Sequence, residues 1–265
     1  MEIVFIGNQA SNVGKTATII SLATCLTGFG FKVLVVDLSG DATLIRRDGT
    51  PKYTIVDVLI GTLPVPDAII HTEAYDILPA PKAAKLSDCN LLLTNCIESS
   101  FILSAGLHEQ TRYNLAEKYD FILLDALRDT IATESAIAAS DSIILPCNLS
   151  QYSLRGVERL LYQIRKTEQE SGITAKVDGI VFTRYDIKSA TRRDMYQIIL
   201  DEAQTMDIDH YRTQLRESHI VYRAMHEQRS ILDYYGYGNG TKDALDFTLE
   251  FLERRGLTPK RGFFQ

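Results

Sequence analysis

The chain has 265 residues, 45% apolar and 23% charged, with no tryptophan, a size and balance that let an α/β domain bury its own core without a metal or disulfide staple. The net charge of −6 is unevenly spread: residues 1–150 carry 10 Lys/Arg against 17 Asp/Glu, whereas residues 151–265 carry 18 against 17. Attraction to a polyanion therefore has to come from local patches in the second half.

The sequence shows no charged-then-apolar leader, and no apolar run nears the ~18 residues that span a bilayer. The four cysteines (Cys25, Cys89, Cys96, Cys147) have neither CxxC nor Cys/His ligand spacing. Cys25 and Cys147 lie in apolar runs, as reduced core thiols of a cytosolic protein do.

In chain order, a strand over EIVFIG (2–7) runs into the loop GNQASNVGKTAT (7–18) and a helix over 15–28. A second strand, KVLVVD (32–37), precedes a helix over 54–61, and a third, YDILPA (75–80), precedes one over 100–117. DFILLD (120–125) and DSIILPC (141–147) follow, then a helix over 153–170 and VDGIVFT (177–183). Helices over 188–205 and 242–255 complete the pattern. Most strand runs are continuously apolar and β-branched, as strands buried on both faces of a parallel sheet are. The alternation predicts a doubly wound, mainly parallel α/β sheet with helices on both faces, in three layers, and the strand–loop–helix context of GNQASNVGKTAT makes it P-loop NTPase-like. No linker or repeat divides residues 1–256, so we expect a single nucleotide-binding domain followed by a tail over 257–265.

In open parallel sheets, ligands bind beyond the carboxyl ends of the strands. The loop 7–18, Asp37, Asp125 and the turn Thr183-Arg184-Tyr185-Asp186 wait at such ends. Asn12, Val13, Gly14, Lys15, Thr16 and Ala17 are the candidate phosphate cradle: a helix N-terminus favours anionic oxygens, Gly14 lets backbone approach closely, Lys15 reaches the β and γ phosphates, and Thr16 supplies a hydroxyl to Mg²⁺. A glycine usual five residues before the GK pair is Gln9 here. Asp125, closing FILLD, is a candidate magnesium carboxylate with Thr16. Asp37, closing VLVVD, is a candidate for the metal and attacking-water site.

These segments resemble, in order, those of the ParA/MinD-type partition ATPases, in particular short ParA proteins without an N-terminal DNA-binding domain. NQASNVGKTAT is similar to NQKGGVGKTTT of that family, VLVVDLSGDAT to VLLVDLDPQGNAT, KYDFILLDALRD to its Walker-B segment, and LRESHIVYRAMHEQRSILDY to its late segment. The similarity covers roughly residues 2–255. It implies a switch that binds Mg-ATP, forms a homodimer across the nucleotides and binds DNA non-specifically. A partner seated on a centromere-like site then stimulates hydrolysis, in the cytoplasm and on the nucleoid, to position plasmids or chromosome origins.

The chain departs from the family pattern at residues with chemical roles. The signature lysine of the family is Ala10 here, the two following glycines are Ser11 and Asn12, and the second aspartate of DLDPQ is Ser39, with Asp41 a candidate substitute. The Pro-Pro after the Walker-B aspartate is Leu127-Arg128. Losing a cation that stabilises phosphoryl transfer removes on the order of 10³–10⁵ in rate, so binding is expected to survive better than hydrolysis, leaving a weak ATPase. Arg128 or Arg184 are hypothetical replacements for the cation.

Lys188, Arg192, Arg193, Arg216 and Arg223 are the candidate DNA-phosphate contacts, an expectation that rests on the family's use of basic residues in this region; such contacts are sequence-independent and salt-sensitive. MinD-like relatives end in an amphipathic membrane helix, whereas Gly256, Pro259 and Gly262 break any helix here, so no membrane contact is expected. Two other readings stand beside the partition switch: a degenerate, non-hydrolysing binding or regulatory protein, favoured by Ala10 and Ser39, and a biosynthetic P-loop ligase or amidase, for which no nucleophile or ligand cluster is seen.

Overall fold

The computed structural model describes residues 1–39, 51–59, 62–81, 115–126, 128, 131–227, 229–234 and 238–262. The six expected strands form, five of them within one residue of the expected bounds, as β1 (Glu2–Ile6), β2 (Val33–Leu38), β3 (Asp76–Leu78, which ends two residues before the expected 80), β4 (Phe121–Ala126), β5 (Ser142–Asn148) and β6 (Lys176–Thr183). They make a single sheet in the order β3-β2-β4-β1-β5-β6, and every pairing is parallel.

Two-sided burial explains the apolar runs. In β1, Ile3 and Phe5 enter one core layer while Val4 and Ile6 enter the other, the period-2 alternation of a strand. The first layer is closed by α2 (Ile55–Leu59), α3 (Val65–Ala68), α4 (Leu115–Lys118), α5 (Ile131–Ala139), α6 (Gln151–Ser171) and α7 (Ala190–Thr205), through residues such as Ile55, Val65, Leu115, Ala136, Leu160 and Ile199. The second is closed by α1 (Lys15–Gly28) and α9 (Asn239–Glu253), through Ile19, Leu22, Phe247 and Phe251. A smaller cluster joins Cys25 of α1 and Ala244 of α9 to Ile220 and Ala224 of α8 (His219–Glu227) and Ile231 of a 3-10 turn (Ile231–Tyr234).

Helix α6 shows clear start and stop chemistry: the Ser150 side chain accepts from Ser153 N–H, and Gly172, at φ 70, closes the helix by donating to the Glu168 carbonyl. Most of the expected 100–117 helix lies outside the described residues. Helices α3, α5 and α8 and the 3-10 turn were not anticipated.

The amino ends of the strands are clamped by the segment that follows α9. Arg255 reaches Glu2 at 2.7 Å and Asp178 at 2.9 Å and donates to Ser142 Oγ at 2.9 Å, with its guanidinium over the Phe251 ring. Burial works against its charge, but Glu2 and Asp178 outweigh burial and lift Arg255 above its ordinary value. Arg254 beside it pairs with Glu250 and Asp209, each at 3.0 Å. Lys260 and Arg261 donate backbone N–H groups to the Phe29 carbonyl, and Lys260 Nζ reaches Asp120 at 2.7 Å.

The carboxyl ends face the other way. The chain leaves β1 for β2 on one side, while after β4 it crosses β1 to reach β5 on the other. The reversal therefore falls at β1 and β4, the place where such sheets hold ligands.

Candidate functional site

The loop between β1 and α1 is built by buried anchors. Asn8 Nδ2 donates to the Pro146 carbonyl at 2.7 Å and to the Ser153 carbonyl at 3.2 Å, while its Oδ1 accepts Ala10 N–H at 2.7 Å. Gln9 N–H donates to the Gly156 carbonyl at 3.2 Å, and its side chain donates to Gln163. The glycine on α6 permits this close approach, because a Cβ at 156 would overlap the Asn8 amide oxygen and stand 2.6 Å from Ala10 N. Ala10, 1% exposed, fills the same contact.

Two residues of the loop are left-handed: Asn12 at φ 56 and Gly14 at φ 86. Asparagine is among the non-glycine residues that tolerate this region best, so replacing a glycine at 12 leaves that turn available. Gly14 begins α1 without a side-chain cap. The first-turn N–H groups of a helix have no intrahelical acceptor, so this helix start presents donors of the kind that bind anions. Lys15 Nζ folds back to donate to the carbonyls of Asn8 at 3.0 Å and Ala10 at 2.8 Å. Beyond the helix start, Thr183 Oγ1 donates to the Val13 carbonyl at 2.7 Å, tying the end of β6 to the loop across β5.

Thr16 Oγ1 donates to Asp125 Oδ2 at 2.9 Å, so the two expected metal-site residues meet across 109 positions of sequence. Asp37 is fully buried, and its Oδ1 accepts both the backbone N–H (2.8 Å) and the hydroxyl (2.7 Å) of Ser39. Adjacent registers set the carboxylates: Asp37 of β2 pairs directly with Asp125 of β4. Asp41 lies outside the described residues. Among the described residues no group of three or more His, Cys, Asp or Glu is assembled for a metal. The donors present are a hydroxyl and carboxylates, hard oxygens that suit Mg²⁺, which usually completes its shell with water and phosphate oxygens. The residues thus fit a magnesium-nucleotide and are insufficient for a free-standing metal site.

An open cleft lies on the other side of Gly14, lined among others by Ala17, Thr18, Thr183, Arg184 and Tyr222. Arg184 is left-handed at φ 47 and donates to Tyr222 Oη at 2.8 Å. Its neighbour Tyr185 turns instead into the apolar layer, edge-on to Phe182 and Tyr196. Asn8 and Tyr222 lie in segments singled out by resemblance, but their contacts, like those of Gly156, become visible only where separate segments meet.

The five basic candidates divide by partner. Arg216 is held by Asp243 through Nε at 2.9 Å and Nη2 at 2.5 Å, on a carboxylate that is nearly buried. Arg192 pairs with Asp186 at 3.1 Å and Arg223 with Glu227 at 2.7 Å, both at exposed sites. Arg193 donates to the carbonyls of Ile187 and Lys188. Among the described residues Lys188 and Arg193 make no ion pair. Lys188, Arg192 and Arg193 cluster at the start of α7, where Ser189 caps the helix.

Comparison with known proteins adds descent to this geometry. A family model described as an AAA domain matches residues 1–177. The chain is 29% identical over 197 residues to the chromosome partitioning protein ParA of Caulobacter vibrioides, covering 72% of each chain. It is 28% identical over 193 residues to the sporulation initiation inhibitor protein Soj of Bacillus subtilis, covering 71% of this chain and 74% of that one. An uncharacterized Mycobacterium tuberculosis protein is 27% identical over 206 residues, a match that spans 76% of this chain and only 63% of the relative. Among solved structures, McdA of Cyanothece in an ATP complex superimposes with a TM-score of 0.79 at 18% identity, covering 97% of both chains. Cobyrinic acid a,c-diamide synthase of Mycobacterium smegmatis, with an ATP analog and magnesium, gives 0.77 at 20% identity, covering 96% and 95%. At such identities these two structures establish the shared fold and no more. The sheet order, the loop, the paired strand-end aspartates and the match over residues 1–177 together place this chain in the ParA/MinD-type partition ATPase family.

Proposed function

We propose that this chain is a ParA-like nucleotide switch of plasmid or chromosome partition, which binds Mg-ATP at the β1–α1 loop, dimerises and then binds DNA non-specifically. The observation that carries the reading is the 2.9 Å contact of Thr16 with Asp125 beside a helix start that Lys15 overhangs. When bound, Mg-ATP supplies the phosphates and the charge that complete this donor set. Lys15 exchanges its loop carbonyls for phosphate oxygens, Thr16 and Asp125 hold the metal side, and the Asn12–Ala17 backbone cradles the anion. Asp37, fixed by Ser39, shapes the metal and water side. The cleft between Ala17 and Tyr222 receives the base. ATP and Mg²⁺ are the proposed cofactors, residues 1–256 the proposed nucleotide-binding unit, and a homodimer, DNA and a centromere-binding protein the proposed partners. The described residues contain no helix long and apolar enough to cross a membrane, and the proposed setting is the nucleoid in the cytoplasm.

Lys188 and Arg193 are the best placed of the basic candidates for DNA phosphates, since meeting a phosphate would break no ion pair for them. Arg192 and Arg223 would exchange exposed pairs of the kind worth under about 1 kcal/mol.

A second reading, a non-hydrolysing binding protein, draws on Ala10. The family's cation is absent there, and position 10 is packed against Gly156 rather than open to solvent. Side-by-side measurement of Mg-ATP affinity and turnover, with and without DNA and with Lys15→Ala as control, separates the two. Turnover that the control abolishes supports the switch. Binding without turnover supports the second reading. No Mg-ATP binding by the wild-type chain sinks the switch mechanism and leaves only an inherited fold.

A further inference from the structure

The loop segment Ala10-Ser11-Asn12 brings no charge to the phosphate site, yet two arginines stand near the loop. Arg184 is directed away from this segment. It lines the cleft beyond Gly14, donates to Tyr222 Oη, and lies 3.9 Å from Glu217 through Nε. Arg128 is placed differently. It follows Asp125 by three residues, and its Nη1 donates to Tyr152 Oη at 2.9 Å. Tyr152 Oη lies 3.5 Å from Ser11 Oγ, at the outer limit of a hydrogen bond. The guanidinium is therefore held at the rim of the loop from the metal side.

The support beneath this tether is rigid. Tyr152 occupies the first turn of α6, and that helix is fastened to the loop by the bonds of Asn8 to Ser153 and of Gln9 to Gly156. Among the described residues Arg128 makes no ion pair. A guanidinium resting on a neutral hydroxyl gives up little when an anion arrives, and gains a charge-assisted, two-pronged contact with phosphate. The Tyr152 hydroxyl responds to the same neighbours: hydrogen bonding with Ser11, and then the Arg128 charge, draw it below the ordinary tyrosine value.

We propose that Arg128 is a phosphate-binding residue of this chain's own site, acting on the terminal phosphate of a nucleoside triphosphate. Tyr152 and Ser11 are its positioning residues, the Tyr152 hydroxyl holding Nη1 at the rim while the remaining guanidinium N–H groups meet the phosphate. The inference rests on the nucleotide-binding reading above. It supplies in cis, from the end of β4, a cation that the 10–12 segment lacks.

Calorimetric titration of Mg-ATP and Mg-ADP into the wild-type chain and into Arg128→Ala, Arg128→Lys and Tyr152→Phe tests this without measuring turnover. A lost charge-assisted contact weakens affinity by about tenfold or more. Arg128→Ala should show that loss for Mg-ATP and a clearly smaller one for Mg-ADP. Arg128→Lys should recover part of it, and Tyr152→Phe should lose a few-fold by freeing the guanidinium, about threefold being the expected scale, with thermal unfolding unchanged in all three. Equal Mg-ATP affinity in Arg128→Ala and wild type would overturn the inference while leaving the nucleotide site standing. Equal losses for the triphosphate and diphosphate would overturn the assignment to the terminal phosphate. If Arg128→Ala unfolds early, Arg128→Lys and Tyr152→Phe decide: wild-type affinity in both overturns the proposal. A wild-type chain that binds no Mg-ATP overturns this inference together with the reading beneath it.

Discussion

At the amino ends of the strands, Arg255 and Arg254 are bound by Glu2, Asp178, Glu250 and Asp209, whereas at the carboxyl ends Lys15 donates to loop carbonyls and Arg128 to a tyrosine hydroxyl. The same charged chemistry thus serves opposite purposes. A buried cation matched to carboxylates is expensive to disturb, because either partner left alone keeps its desolvation penalty. A cation that rests on a neutral hydroxyl, as Arg128 does, remains open to an arriving anion. The first arrangement fixes the last helix to the sheet, and the second leaves the loop ready for a polyphosphate.

Replacing Arg255 should reveal the difference most strongly. Its side chain is 10% exposed and faces Asp178 at 5%, so Arg255→Ala is expected to destabilise by about 3–5 kcal/mol, read as a lower urea midpoint. Arg128→Ala should leave that midpoint where it is. Similar stability losses at both positions would break the contrast.

Gly156→Ala tests how firmly the loop is anchored. The added methyl meets backbone at Ala10, so a loss of about 1–3 kcal/mol is expected. Nucleotide affinity should fall with it, since the same contact shapes the loop. Retained stability would mean that the loop moves aside freely.

The basic surface offers a gentler comparison. Arg216→Ala strips Asp243 of its charged partner while leaving the backbone N–H of residue 216 in place, so it should destabilise the fold by about 1–3 kcal/mol, read as a lower melting temperature. Lys188→Ala with Arg193→Ala should leave melting alone and reduce the salt slope of DNA binding by about 2, one per lost phosphate contact. An unchanged slope would remove the start of α7 from the DNA surface.

Two buried thiols carry the contrast into pH. Burial pushes Cys25 up from 9.0 to about 12 and Cys147 to about 11. The folded state favours the neutral thiols, so their contribution is whole below pH 9 and is lost as pH rises from 9 through 11 to 12. Melting temperature should accordingly decline over that alkaline range, and less so in Cys25→Ala than in wild type, compared each against its own value at pH 8. Native protein at pH 8 should also react slowly with thiol reagents at these two positions. Rapid labelling there would contradict the burial.

Much of the fold was legible because burial on both faces writes itself into the chain as continuous apolar runs. All six strands were readable on that basis, and the long helix α6 was readable over 153–170, within its observed span Gln151–Ser171. Helix α5 was missed because IATESAIAA has no polar face to mark a period, and α8 because nine residues hold only about two and a half turns. In the site, the GKT triplet and the aspartates at the ends of β2 and β4 could be found by inspection. Tyr152 and Gly156 could not, since each meets the loop from more than 140 positions away. Arg216 looked like a surface cation until Asp243, 27 positions on, took it as a partner.

The sequence by itself determined which segments are strands, where the phosphate loop turns and which carboxylates close the strands, because these depend on side-chain period and backbone preference within a few residues. Tertiary structure decided the strand order, the meeting of Thr16 with Asp125, and whether each cation faces a carboxylate, a carbonyl or a hydroxyl. Those outcomes arise only when distant segments cross, and local pattern contains no record of what will stand opposite.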